Sequence, residues 1–175
     1  MRASVVAITG TPGTGKTTVA KILAKRTGYT HLNLNKEIAR RKLYSGYDHK
    51  RKSYIADMKK MTAFAKGFIA KEHAVIIDGH LSHNLPSCVV DQVIILRCSP
   101  AVLKKRLEGK KWPKEKVKEN VEAERIGIVA WEARKNHGSI IEIDTTRTGP
   151  EAVATKIEKA LKGRPTKGKN IEWLK

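Results

Sequence analysis

Apolar residues fall along this chain in two alternating rhythms. Short unbroken runs at residues 4–8, 29–33, 74–78, 91–97 and 139–144 read as strands, most of them apolar enough to be covered on both faces. Between them the spacing becomes helical. Val19, Ile22 and Leu23 mark a helix over 17–26 that Gly28 stops, and residues 36–43 form a short basic helix. Residues 44–52 are polar and glycine-broken and read as a loop. From about Ser53 an apolar stripe of Ile55, Met58, Met61 or Thr62, Ala65 and Phe68/Ile69 predicts a further helix. Ser99-Pro100 opens another by cap and first-turn chemistry. After an interruption at 109–113, one long helix is expected over 115–136 with Val117, Val121, Ile128 and Trp131 inward, and a last helix over 150–161. Strand and helix alternating in this way predict a single α/β domain: a five-stranded parallel sheet, helices on both faces, joined by right-handed crossovers.

Length and composition agree with one domain. The 175 residues, 40% hydrophobic, can bury a full core. No apolar run approaches the roughly 20 residues of a membrane span, and Met1-Arg2 leads straight into the first strand, so a cytoplasmic chain without membrane contact is expected. Cys88 and Cys98 lack metal-ligand spacing.

Charge changes the picture. Residues 36–60, 104–118 and 162–175 together hold +16 of the net +19, which favours polyanions, nucleotide phosphates or RNA alike. A lysine-rich solvated surface of the kind found in proteins from hot environments gives the same composition.

The chemistry concentrates first at Gly10-Thr11-Pro12-Gly13-Thr14-Gly15-Lys16-Thr17-Thr18, a complete G-x-x-x-x-G-K-[ST] pattern set between a strand and a helix. That arrangement aims backbone N–H groups and the positive helix end at a phosphate chain. Lys16 then reaches the β- and γ-phosphates and Thr17 ligates Mg²⁺. Asp78, ending the third strand, is the candidate acid for the metal shell; a turn cap is its simpler role. Two residues on, His80 polarises water, contacts a phosphate, or is a loop histidine held by backbone; His83 is a lesser candidate. Arg97, ending the fourth strand, stands where a substrate phosphate could be met. Residues 109–113, basic and aromatic, read as a lid or as an ordinary helical hairpin. The basic tail ends in an apolar plug at 171–174, docking on the domain or on a partner.

The glycine loop, Gly46-Tyr47-Asp48, Asp78-Gly79-His80, Leu96-Arg97 and Arg106-Leu107, in this order, resemble the adenylate-kinase-like family across almost the whole chain. The likeness is to its small archaeal and eukaryotic branch, adenylate kinase isoenzyme six or coilin-interacting nuclear ATPase, in the archaeal form. The resemblance implies sheet order 2-3-1-4-5, a P-loop domain over 1–163 with a nucleoside-monophosphate arm at about 34–69 and a lid at about 108–118, and a basic tail at 164–175. It implies Mg²⁺-dependent transfer from ATP to AMP with a slower ATPase; a monomer is the expectation for the chain. Lys16, His80 and Arg106 would be catalytic. Residues Gly10, Pro12, Gly13, Thr14, Gly15, Lys16, Thr17 and Thr18 with Arg106 would hold ATP; Arg40 or Arg41, Asp48 and Arg97 would meet AMP; Thr17 and Asp78 would serve the metal. The family is also tied to small-subunit ribosome maturation, with ribosomal protein uS11 and rRNA as partners. A ribosome-assembly ATPase with little kinase activity, or a kinase for another charged acceptor, are the alternatives. One departure is local: where the family's lid reads Arg-Gly-Tyr, this chain has Lys110-Lys111-Trp112.

Overall fold

The computed structural model describes residues 4–49, 53–163 and 170–173. Lys50, Arg51 and Lys52 of the expected loop, residues 164–169 of the basic tail and Leu174 of the plug lie outside the described residues. The chain runs β1 (Ser4–Thr9), α1 (Lys16–Thr27), β2 (Thr30–Asn33), α2 (Leu34–Arg40), β3 (Tyr44–Asp48), β4 (Ser53–Ala56), α3 (Met58–Ile69), β5 (Ala74–Asp78), a 3₁₀ turn (Ser82–Asn84), β6 (Gln92–Arg97), α4 (Pro100–Gly109), α5 (Lys114–Ile126), α6 (Ile128–Asn136), β7 (Ile140–Asp144) and α7 (Pro150–Lys162).

Five strands form one parallel sheet, ordered β2-β5-β1-β6-β7. Counted as core strands in chain order, this is the expected 2-3-1-4-5. Every residue of β6 is buried, as a strand covered on both faces requires. One face packs Val6, Ile8, Ile76 and Ile94 under α1 and α7. The other packs Val5, Ala7, Val75 and Ile95 against Ile38, Met61, Ala65 and Ala133 of α2, α3 and α6. A smaller cluster of Cys98, Leu103, Leu107 and Val117 seats α4 and α5. Register sets the site: β5 pairs Asp78 with Ile8 on one side and with Asn33 on the other, so the polar strand ends emerge together beside the loop after β1.

Three expectations need correction. The stretch from Tyr44 is an antiparallel hairpin, and α3 begins at Met58 rather than near Ser53. Aromatic pairing across the hairpin explains it: Tyr44 stacks on Tyr54 at 4.2 Å and Tyr47 meets Tyr54 edge-on at 5.3 Å. Asp57 then caps α3, accepting from Lys59 and Lys60 N–H at 3.0 and 3.1 Å. Ile55 and Met58 of the expected stripe are consequently exposed, while Met61 and Ala65 are buried. The long helix over 115–136 breaks at Gly127, whose φ of 70° ends α5 and starts α6. The break turns Trp131 outward, 61% exposed with Lys135 over its ring, and leaves Ile128 exposed, so neither is core. Finally, α2 starts at Leu34 because the Asn33 side chain accepts from Lys36 N–H at 2.8 Å.

Candidate nucleotide and acceptor site

The loop after β1 folds on itself around one carbonyl. Thr11 O accepts from Thr14 N–H at 3.3 Å, Thr14 Oγ1 at 2.9 Å and Lys16 Nζ at 3.0 Å. Gly10 has φ 138°, and a Cβ there would stand 2.3 Å from Leu96 O. A Cβ on Gly13 would stand 2.8 Å from Leu107 of α4, so the two glycines let the loop lie against β6 and α4. Pro12 lies between them, half-buried, Gly15 precedes α1, and Thr18 is exposed in its first turn.

Lys16 is buried, and that burial lowers its pKa to about 8; the charges of Asp78 and Glu124 oppose the shift and Lys110, between α4 and α5, adds to it. Thr17 Oγ1 donates to Asp78 Oδ2 at 2.6 Å. Asp78 is 1% exposed and saturated: His31 Nε2 meets Oδ1 at 2.5 Å, and Asn33 Nδ2 donates to both oxygens at 3.1 Å. Sequence reading missed His31 and Asn33. Their signal was the position of their strand beside the one ending in Asp78, since pairing Asn33 with Asp78 follows from neighbouring parallel strands in register.

Beyond Asp78 the chain passes Gly79 to His80, which is exposed. Surrounding protein, then the charges of Lys16, His83 and Lys116, lower its pKa, so the ring is neutral at pH 7. His83 is instead a buried packing histidine. Thr9 Oγ1 lies 2.8 Å from its Nδ1 and Glu132 Oε2 lies 3.0 Å from its Nε2, an arrangement that suits the neutral ring; burial lowers its pKa too. Arg106 donates to Thr145 O at 2.6 Å, and Thr145 Oγ1 lies 3.2 Å from Thr14 O, so Arg106 stands at the back of the loop.

Arg97 requires a correction. It is 2% exposed, and its guanidinium donates to Glu124 Oε1 and Glu142 Oε2 at 2.8 Å each, to Ile171 O at 2.8 Å and to Glu124 O at 3.1 Å. A guanidinium so enclosed is a structural tie and not a substrate contact. The same cluster supplies a residue the sequence did not mark: Glu124, 1% exposed, accepts from Thr11 Oγ1 at 2.6 Å. Nothing in the spacing of α5 distinguishes it from the other acids of that helix.

A cavity of about 420 Å³ opens from Thr17 and Asn33 along α2 and α3. Its walls combine Lys21, Lys36, Arg40 and Arg41 with Glu37 and the rings of Phe64 and Phe68. Arg40 and Arg41 both bond Glu37, whose carboxyl is held below the usual carboxylate range chiefly by Arg40, with partial burial opposing and Arg41 adding. Arg41 also lies 4.7 Å over the Phe64 ring. Asp48, on β3 opposite Ser53, is not among the lining residues.

Comparisons with known proteins identify the family and the fold. A family model described as an AAA domain matches residues 6–127. A protein of Methanocaldococcus jannaschii named "putative adenylate kinase" is 36% identical over 168 residues, covering 96% of this chain and 92% of that one. A protein of the same name from Natronomonas pharaonis is 41% identical, covering 90% of each. Among solved structures, a shikimate kinase from Acinetobacter baumannii superposes with TM-score 0.68 at 16% identity over 91% of this chain and 93% of that one, a likeness of fold. No helix among the described residues is long and apolar enough to cross a membrane. With a full-length likeness above 30% and a domain match over most of the sheet, the chain belongs to the adenylate-kinase-like P-loop NTPases.

Proposed function

We propose that the protein is a nucleotide kinase that transfers the γ-phosphoryl group of ATP to AMP, and more slowly to water. The observation that carries this is the cavity beside Thr17 and Asp78, whose lysines and arginines suit a phosphate-bearing acceptor and whose phenylalanines suit a base. A neutral acceptor such as a free nucleoside would leave the Lys36, Arg40 and Arg41 charges of this wall without an anion to meet.

The donor set fits Mg²⁺. Thr17 Oγ1 and Asp78 Oδ2 are hard oxygens side by side, and Mg²⁺ is commonly held by one or two protein oxygens with phosphate and water completing the shell. When bound, the ion would neutralise phosphate charge. Around it, loop N–H groups and Lys16 would orient the donor, Arg40 or Arg41 the acceptor phosphate, and Arg106 would lie at the nucleotide's far end. His31 and Asn33 fix the Asp78 carboxylate. Neutral His80 suits a water-directed role, giving the ATPase side reaction. Lys110 keeps a lid charge but lacks an arginine's planar fork.

The test uses ADP and Mg²⁺ alone. Equal amounts of ATP and AMP should appear, and chelation should stop the reaction. ADP left unchanged under conditions where ATP binds would sink the AMP reading.

A second reading concerns use in the cell: an ATPase of the isoenzyme-six branch acting in small-subunit maturation on ribosomal protein uS11 or rRNA. Tyr47, Tyr54 and Ile55, exposed at 42%, 46% and 52% on the hairpin amid basic sequence, favour it as a contact face. Nucleotide-dependent association with pre-ribosomal particles, altered by Asp78→Asn, is expected; indifference to nucleotide would count against it.

A further inference from the structure

Residues 170–173 return to the domain and end on the buried acid that holds the phosphate loop. Arg134 donates to Asn170 Oδ1 at 2.9 Å, Ile171 N–H donates to Glu142 Oε2 at 3.2 Å, and Arg97 donates to Ile171 O at 2.8 Å. Trp173 Nε1–H then donates to Glu124 Oε1 at 3.0 Å, with the Arg97 guanidinium 5.9 Å over the indole ring. That oxygen also accepts from Arg97 Nε and Cys98 N–H, while the other, Oε2, accepts from Thr11 Oγ1 at 2.6 Å. Thr11 O in turn holds Lys16 Nζ at 3.0 Å. One carboxylate thus joins the C-terminal segment to the lysine of the glycine loop through three hydrogen bonds.

We propose that Glu124 and Trp173 are positioning residues for the phosphate loop: the docked C-terminal segment completes the hydrogen-bond set of Glu124, and Glu124 fixes Thr11 and through it the seat of Lys16. A buried carboxylate has a limited number of lone-pair sites, and its partners share one geometry. Removing the indole N–H lets the carboxylate swing toward Arg97 and Cys98 and away from Thr11. The consequence falls on the loop, although Trp173 itself lies outside it. A segment that served only to cover the sheet edge would have its ties at Glu142 and Arg134, with nothing reaching the loop.

The inference rests on the proposed function only as far as nucleotide binding, so MgATP is the probe, titrated calorimetrically into the full chain. Couplings within one network span about 2-fold to 100-fold in an equilibrium constant. Trp173→Phe, which keeps the ring and loses the donor, should raise the Kd for MgATP about 5-fold at the low end of that span while moving Tm little. Thr11→Val should raise it too, Thr11→Ser should not, and the Trp173→Phe/Thr11→Val double variant should bind no worse than Thr11→Val alone. Ile171→Pro, which loosens the segment without touching Glu124, should act in the same direction and serves if Trp173→Phe does not fold. An unchanged Kd in both tail variants, or strictly additive losses in the double variant, overturns the proposal. A wild-type chain that binds MgATP but leaves ADP unchanged overturns the AMP acceptor and leaves this proposal standing; one that does not bind MgATP overturns both.

Discussion

At the C-terminal edge of the sheet Asp78, Lys16, Thr11 and Glu124 are buried with their polar atoms bonded, whereas Arg40 and Arg41, at the end of the helix that follows Asn33, reach solvent and share Glu37. Among the described residues no buried side-chain nitrogen or oxygen lacks a hydrogen-bond partner. The floor of the site is therefore already organised, and any ligand there must fit dipoles fixed in advance. The basic wall of the cavity is held at its surface by i,i+3 and i,i+4 ion pairs that contribute little, so its cations can re-pair with a ligand at small cost. Two arginines show the contrast. Arg97 and Arg40 are the same side chain, yet burial makes one a strut and exposure leaves the other available.

The largest expected effect tests that difference directly. Arg97→Met leaves Glu124 and Glu142 facing each other in a dry cluster without their shared cation. Breaking a buried ion pair from one side costs about 3–5 kcal/mol, to be read by urea denaturation. Arg40→Ala should change stability by less than about 0.5 kcal/mol in the same assay. Equal losses would erase the distinction between the buried floor and the exposed basic wall.

Next in size is Lys16→Met. Loss of one preorganised charge from a phosphoryl-transfer site lowers kcat about 100-fold to 1000-fold, measured by ADP disproportionation. Stability should hold or rise, because the lysine is held in a dry site. Its folded pKa of about 8 lies below the ordinary lysine value, so the folded chain binds fewer protons between those values than the unfolded one. The stability it contributes is present above that window and is lost as pH falls through it. A polyphosphate beside the ammonium should reverse the shift. ATP binding at pH 8 is thus expected to take up a fraction of a proton, seen as a binding enthalpy that varies with the buffer's ionisation enthalpy; no variation would mean that Lys16 does not meet the phosphates.

How much of this was legible beforehand follows the same divide. The glycine loop and the strand ending in Asp78 are local patterns, and each residue type there is dictated by what its own few neighbours must do. Alternation pointed to a parallel sheet covered on both faces, and the family likeness supplied the strand order that the fold has. Arg97 was misread because its partners Glu124, Glu142 and Ile171 lie 27, 45 and 74 residues away, and nothing in its own neighbourhood says that the strand end is closed. The hairpin was missed for a related reason: its tyrosines are polar-looking in sequence and become structural only when paired across strands. Trp131 failed on one glycine, since a 3.6-residue period continued through Gly127 keeps the wrong face inward.

Arg40→Ala, already expected to be nearly silent in stability, should raise the KM for AMP about 10-fold with kcat changed less, because a charge-assisted contact to a bound phosphate contributes about 1.5–3 kcal/mol and Arg41 remains nearby. A KM for ATP that rises as much would place Arg40 on the donor side and contradict the division drawn above.

The smallest effect concerns the turn between α4 and α5. Lys111 sits at φ 56°, in the left-handed region that a side chain disfavours. It is exposed, and its N–H donates to Glu108 O at 2.8 Å, so the turn after α4 is held by backbone and not by the lysine side chain. Lys111→Gly removes a strain of about 1 kcal/mol but adds unfolded-state freedom of about 0.5–1 kcal/mol, leaving a net change within about 0.5 kcal/mol. Activity is the more telling readout. If the lysines of this turn hold a transferring phosphoryl group only as point charges, Lys111→Gly alone should alter kcat less than about 2-fold, and Lys110→Arg added to it should raise kcat by a few fold, since the planar fork supplies the second hydrogen bond that an ammonium cannot direct. A double variant no faster than the single one would mean that Lys110 does not reach the phosphates and that the loop's own lysine meets the charge alone.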